Sequence, residues 1–384
     1  MSEFSDKCRA YISKSNTNVY QIAKKSGLDR TMLQKMVKGT KVPSPAFFES
    51  FCDYLVINKT EKNELDQLFR IERIGKDVYT RRCEINRLLS DFRNLRTPTR
   101  NRLPENWLNT EPDLGLALLN AEDIKLSTEV DLIDTMRFIV KEEIENNEVP
   151  KIYLDIFDNV PFALNQILRS IQNSEKEIQC TQFVKFGRSN PSHNVVVENI
   201  RVLRTIFPFA FRFNHKYDVY YSYINGNRHD GNFNIWAHYV ITQSKVLLIS
   251  EQGDEGLLIN SPEIAHSYIE RMENMKDNCE TLFDVFEQND DELSLEERCQ
   301  FFENYCDNME KQGNRKLLKR KGANSSDLDK GLIVELFEPN YLVFGSIHKD
   351  FPFGIICIKE TELYEVFQDY YNHLEDEDSI DLVV

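Results

Sequence analysis

Residues 18–39 read NVYQIAKKSGLDRTMLQKMVKG, and nearly every position in that run has a local structural task. Asn18 is a good N-cap for the helix that follows, in which Ile22 and Ala23 face inward while Lys24 and Lys25 stay in water. Gly27 supplies the positive-φ residue that ends this helix. Leu28 plugs the gap between helices and Asp29 caps the next one. That next helix, RTMLQKMVKG, buries Leu33, Met36 and Val37 and turns Arg30, Thr31, Gln34 and Lys35 outward, and Gly39 closes it. The pattern is helix, tight turn, helix.

Working outward, a helix is expected from about Glu3 to Ser13, with Phe4, Cys8 and Ile12 on one side at four-residue spacing. Ser44 and Pro45 suit the N-cap and first position of a fourth helix, PAFFESFCDYL, whose apolar residues are Phe47, Phe48, Phe51, Cys52 and Leu55. Thr60 begins a fifth carrying Leu65, Leu68 and Phe69. The run Ile22-Ala23-Lys24-Lys25-Ser26-Gly27-Leu28, followed by Leu33, Gly39 and Pro43-Ser44, resembles the Cro and phage-repressor type of helix-turn-helix, the XRE family, over about residues 3–72. The resemblance implies that the third helix lies in the DNA major groove, with Arg30, Thr31, Gln34 and Lys35 at base edges. Arg30 suits guanine and Gln34 suits adenine. It implies phosphate contacts from Asn18 and Tyr20 at the start of helix two and from Lys38, Thr40 and Lys41 after helix three. It further implies double-stranded DNA with an inverted-repeat operator as partner, a homodimer, and repression as the mode of control. The following stretch, DVYTRRCEINRLLSDFRNL, carries Val78, Cys83, Ile85, Leu88, Leu89 and Phe92 in an amphipathic pattern. Such a helix packs either on its own copy or on the next domain.

Charge separates this region from the rest. Residues 1–105 hold 21 Lys/Arg against 13 Asp/Glu, whereas residues 106–384 hold 26 against 50. That asymmetry suits a polyanion-binding module joined to a part that must not bind polyanions. A length of 384 residues calls for two or three domains. No stretch approaches the ~20 apolar residues of a membrane span. The start, MSEFSDKC, has no basic region followed by an apolar one, so a cytoplasmic protein without membrane partners is expected. The eight cysteines include no CxxC pair and no zinc spacing, and neither metal nor cofactor is expected. Cys299 and Cys306 share a helix face, as core residues or as a redox pair.

The expected fold class is therefore multidomain: an all-α helix-turn-helix domain (1–75), a connecting helix and basic linker (76–106), then an α/β region with a mixed sheet. Within that region, residues 107–312 read as a sensor or dimerisation domain, 313–330 as a basic polar linker, and 331–384 as a small α+β segment with an acidic tail. The arginines of RNLRTPTRNRLP (93–104) suit either DNA backbone or the acidic portion. Helices are expected at 128–146, 161–171, 193–207, 261–275, 279–287 and 294–311. Strands are expected at KIYLDIF, IQCTQFVKF and the aromatic run FRFNHKYDVYYSY, twice within 234–249, and at GLIVELF, YLVFGSI and FGIICI, with GDEGLLIN as a turn and exit. Residues 151–275 loosely resemble phospholipase-D-like folds. The His-x-Lys that such catalysis requires is absent, His215-Lys216 and His348-Lys349 being adjacent pairs.

No Walker loop, dinucleotide fingerprint, GxSxG elbow or HExxH occurs, so no catalytic residue is assigned. His229-Asp230 suits a base and its orienter or a polar turn. The aromatic series Phe207, Phe209, Phe211, Phe213, Tyr217, Tyr220, Tyr221 and Tyr223 suits a pocket for a flat ligand or strand packing. Three functions stay open on these grounds. The leading one is a transcription regulator whose C-terminal region senses a small-molecule or protein effector. The others are an enzyme or defence effector targeted to DNA, and an antitoxin-like binder of a protein partner.

Overall fold

A computed structural model describes residues 2–94, 123–155, 167, 171, 174–188, 195–211, 216–224, 237–287, 293–317, 332–346 and 354–376. The chain divides into two compact units, Met1–Cys83 and Glu84–Val384. The first is built from α1 (Glu3–Lys14), α2 (Val19–Ser26), α3 (Arg30–Lys38), α4 (Pro45–Leu55) and α5 (Lys59–Ile74). Each start carries its own N-cap, the side chains of Ser2, Asn18, Asp29, Ser44 and Asn58 accepting from backbone N–H groups three residues on. These caps satisfy donors that the first helical turn leaves unpaired. The inward faces meet in one core of Phe4, Cys8, Ile12, Ile22, Leu33, Met36, Phe48, Phe51, Leu65 and Phe69. Phe48 and Phe69 stack there at 4.3 Å with Phe4 tilted against both. Burial of Cys8 pushes its thiol well above the usual range, and burial likewise raises Cys52 to about 12.

The boundary between the units falls inside α6 (Lys76–Asn94). In the second unit Ile85, Leu88 and Leu89 enter the main core. Glu84, almost fully buried, lies within ion-pair distance of Arg87, Arg201 and Arg204, while Arg204 also pairs with Asp91. Tyr370 donates to Asn86. The apolar stripe of α6 that suited either a second copy or the next domain is thus taken up, at Ile85, Leu88 and Leu89, by the chain's own core. The side chain of Phe92 lies outside the described residues.

Two sheets organise the second unit. The larger has strand order β1-β7-β6-β5-β2-β3-β4-β8, with β1 Asp123–Leu126, β2 Lys151–Asp155, β3 Gln179–Gly187, β4 Lys216–Ile224, β5 His238–Ile241, β6 Val246–Ile249, β7 Gly256–Ile259 and β8 Glu280–Thr281. Strands β2, β3 and β4 run parallel and the other pairings are antiparallel. Parallel strands are covered on both faces, and β3 shows it. Val184 and Phe186 enter the main core with α7 (Glu129–Asn146) and α8 (Val195–Ala210), while Phe183 enters a second core beside α9 (Pro262–Lys276). The smaller sheet has order β10-β11-β12-β13-β9, with β9 Phe283–Glu287, β10 Arg315–Lys316, β11 Leu332–Glu338, β12 Tyr341–Ser346 and β13 Gly354–Lys359. One face joins the main core through Val334, Leu336, Leu342, Phe344 and Ile356. The other carries α10 (Leu295–Lys311) through Phe302, Cys306 and Met309. A last helix, α11 (Thr361–Asp376), adds Leu363 and Phe367 to the main core.

Several expectations are corrected. GLLI at 256–259 is strand β7, paired on both sides with β6 and β1, rather than an exit. Residues 279–287 form β8 and β9 rather than a helix, because β9 has a partner in β13 that local propensity does not reveal. The C-terminal strands are not a separate small segment, since β9, before residues 313–330, and β10, within them, both pair with strands that follow. The helix expected to end at Phe207 runs on to Ala210 as α8, so that Phe209 is helical too, and both phenylalanines are buried. With Phe211, Tyr217 and Tyr221 also buried, most of the described aromatic series packs. Phe213, His229-Asp230, residues 95–106, 161–166 and 318–330, and the tail from 377 lie outside the described residues. Cys306 and the half-buried Cys299 belong to the α10 core. Among the described residues no helix is long and apolar enough to cross a membrane, and no group of His, Cys, Asp or Glu is placed to hold a metal ion.

Candidate nucleic-acid interface

The helix-turn-helix is assembled from α2 and α3, which pack on each other, with α1 against α3 and α4 against α2. Gly27 ends α2 at φ 76°, and its N–H donates to Ala23 O. The Asp29 carboxylate accepts from Met32 N at 2.6 Å, so the acidic residue within the motif is committed to capping α3. Gly39 ends α3 at φ 70°, where a β-carbon would also approach Ser5 Oγ to 3.1 Å. Position 39 therefore needs glycine both for backbone hand and for space. Arg9 of α1 donates to Val37 O at 3.4 Å, tying the carbonyl end of α3 to the neighbouring helix.

This frame buries Leu33 and Met36 completely and leaves all nine predicted contact residues exposed: Asn18, Tyr20, Arg30, Thr31, Gln34, Lys35, Lys38, Thr40 and Lys41. Two of them are already engaged locally. The Asn18 side-chain oxygen accepts from Gln21 N at 2.9 Å, which leaves its amide nitrogen as a donor. The Thr40 hydroxyl donates to Lys35 O at 3.2 Å, bracing the helix end together with the Thr40 N–H. Two other predicted contacts meet across the turn. The Arg30 guanidinium lies 5.4 Å from the centre of the Tyr20 ring, within range for a cation–π contact. The tyrosine is 55% exposed. Spacing along one helix does not reveal this pairing, because the two residues sit on different helices.

Charge on this face differs from charge on α1, where every cation has an acidic partner. Residues 18–41 contain six Lys/Arg and a single acidic residue, Asp29. Lys24, Lys25, Arg30, Lys35, Lys38 and Lys41 have no acidic partner among the described residues. By contrast Lys7 pairs with Glu64, Arg9 with Asp6, Lys14 with Glu61, Lys62 with Asp53 and Arg70 with Asp66. Lys24 and Lys25, which the apolar pattern of α2 places in water, are exposed. Both belong to the unpaired set.

In the second unit the carboxyl ends of β3 and β4 border a cavity of about 360 Å³, lined by Arg188, Tyr221, Ser222, Tyr223, Asn278 and Glu280.

No protein-family model matches the chain, and no curated protein matches it. A solved structure of TrmBL2, an archaeal chromatin protein with a novel mode of DNA binding, is matched over 64% of this chain and 86% of its own, at 10% identity and a TM-score of 0.23. A likeness at that score carries no argument about fold or function.

Proposed function

We propose that this chain is a sequence-specific DNA-binding transcription regulator, acting as a repressor, whose residues 84–384 set its response to an effector. The observation that carries the reading is the face of α2, α3 and the following turn: exposed, basic, and without acidic partners among the described residues, on a helix-turn-helix frame. Unpaired cations keep their full charge available for phosphate oxygens, which dominate affinity for duplex DNA. On this reading Arg30, Thr31, Gln34 and Lys35 read base edges. Asn18, Lys38 and Lys41 hold phosphates, while Thr40, expected from the resemblance to do so, spends both of its donors on Lys35 O and braces the end of α3. Tyr20 acts chiefly by steadying the Arg30 guanidinium, which limits its rotamers before it meets guanine. A bidentate arginine–guanine contact discriminates by about 1–3 kcal/mol. The resemblance to phage-type repressors supports a homodimer on an inverted repeat, and the acidic second unit supports confinement of DNA contact to the first.

The test is recovery of genomic DNA bound to the full chain at moderate salt. Enrichment of an inverted repeat beside one or a few operons supports regulation. Uniform coverage that washes off with salt overturns sequence-specific reading.

A further inference from the structure

We propose that the cavity at the carboxyl ends of β3 and β4 is a binding site for a small hydroxy- or aminocarboxylate, whose carboxylate sits on Arg188 and whose hydroxyl or amino group donates to Glu280. The site stands whether or not the N-terminal face reads DNA.

Position is the first argument. Strands β3 and β4 are parallel over their whole paired length, ending at Gly187 and Ile224, so the residues that close them gather at one edge of the sheet. Arg188 follows β3 directly, and Tyr221, Ser222 and Tyr223 are the closing residues of β4. The remaining lining comes from Asn278, after α9, and from Glu280 of the neighbouring strand β8, which pairs with Tyr221. About 360 Å³ is enough for a small organic molecule.

Charge is the second argument. Arg188 is exposed and has no carboxylate within ion-pair distance among the described residues. Its guanidinium is stacked 4.6 Å from the centre of the Tyr223 ring, which orders the planar group while its in-plane N–H donors stay available. That fork matches a carboxylate's two oxygens. The nearby acids are partly satisfied from within. The Tyr221 hydroxyl donates to Glu280 at 2.9 Å, and the Tyr223 hydroxyl donates to Glu360. Glu360 is itself buried and also accepts from the N–H groups of Glu362 and Leu363, at the start of α11. Glu280, by contrast, is exposed and has acceptor capacity left for a ligand donor.

The third argument is that both tyrosines remain protonated donors at neutral pH. Burial, then the hydrogen bonds to Glu280 and Glu360 respectively, hold their phenols well above the usual range. The ring platform under Arg188 therefore does not acquire charge of its own.

The experiment follows thermal unfolding and calorimetric binding of the full chain with lactate, malate, serine and glycine at matched ionic strength. Inorganic phosphate and chloride serve as anion controls. At least one carboxylate is expected to give saturable binding and a concentration-dependent rise in Tm, as mass action requires of a ligand that prefers the folded state. Arg188→Gln is expected to lose about tenfold or more in affinity, as befits a charge-assisted contact. Its Tm without ligand should stay close to wild type because Arg188 is exposed. Arg188→Lys, which keeps the charge and loses the fork, is expected to fall between the two. Saturable binding by none of the four carboxylates overturns the proposal. So does phosphate binding as well as they do, or binding by Arg188→Gln as tight as wild type.

Discussion

Two sets of cations share the first unit and are treated differently by the fold. On α1 and α5, Lys7, Lys14 and Arg70 sit beside Glu64, Glu61 and Asp66. On α2, α3 and the turn after them, six Lys/Arg stand with no acidic partner among the described residues, and the one carboxylate, Asp29, is spent on a helix cap. The paired set is also partly less exposed, Lys7 and Arg70 being half-buried, but the larger difference is pairing. A net positive count therefore marks a module, while six unpaired cations gathered on two successive helices and the turn after them mark the face of that module left for an outside anion. The second unit makes the same point in reverse. Residues 84–384 hold 31 Lys/Arg against 53 Asp/Glu, and Arg201, Arg204 and Lys245 there all meet carboxylates.

The comparison depends first on the core that presents the unpaired face. Leu33→Ala, at a fully buried position on α3, is expected to destabilise the first unit by about 2–5 kcal/mol. Hydrogen exchange should show faster exchange across residues 2–83 and little change beyond. Uniform loss of protection throughout the chain would mean that the division into two units has no energetic counterpart.

Next in size is base reading. Arg30→Ala is expected to lower discrimination at one guanine position by about 1–3 kcal/mol. Tyr20→Ala should move the same position in the same direction, and Tyr20→Phe, which keeps the ring, should not. Selection from a random duplex library checks all three variants. If Tyr20→Ala weakens every sequence equally, the tyrosine is a phosphate contact and not a platform.

A stability change that leaves DNA binding alone separates the two faces further. Val56 ends α4 at φ 51° and is 85% exposed, a left-handed backbone that costs a β-branched residue roughly 1–2 kcal/mol. Val56→Gly is expected to stabilise by about 0.5–1 kcal/mol once the greater freedom of glycine in the unfolded chain is set against that relief. Urea unfolding measures it, and a destabilised variant would show that the strain is not stored there.

Salt dependence compares the two sets directly. Lys38→Ala or Lys41→Ala is expected to lower the slope of log K against log salt by about one, whereas Lys7→Ala and Lys62→Ala leave it unchanged. Equal effects from paired and unpaired lysines would remove the distinction drawn above.

The smallest effect is a pH response. A hydrogen bond from Lys14, then its charge, holds the Glu61 carboxyl below its ordinary value of 4.5. The unfolded chain therefore binds this proton more readily than the folded one. The contribution of the pair is present above the ordinary carboxylate range and is lost as pH falls through the folded value. Glu61→Gln should flatten that part of the acid unfolding curve, and an unchanged curve would show the exposed pair to be inert.

Much of the first unit was legible because its signals are local. Asn18, Gly27, Asp29, Gly39 and Ser44 each fix a helix end through a neighbour three or four residues away, and the apolar period of α1 to α5 names the core. The second unit was legible where burial periodicity is strong, as in β3, α8 and β11 to β13. It was misread where pairing is long-range: β7 needs β1 and β6, and β9 needs a strand some seventy residues later. Of the candidate sites, the exposure of Arg30, Thr31, Gln34 and Lys35 followed from the helical wheel. The Tyr20–Arg30 contact and the Arg188–Tyr223 cavity join residues that only the fold brings together.

The most direct test of the central claim compares wild type with Arg30→Ala/Lys35→Ala in the full chain. The readout is affinity for the selected duplex against a scrambled duplex of equal length and composition, at one fixed salt concentration. The ratio is expected to fall toward one in the variant, while weaker, salt-labile binding to both duplexes persists through the remaining unpaired lysines. A ratio as large as wild type's would contradict the assignment of α3 as the reading helix.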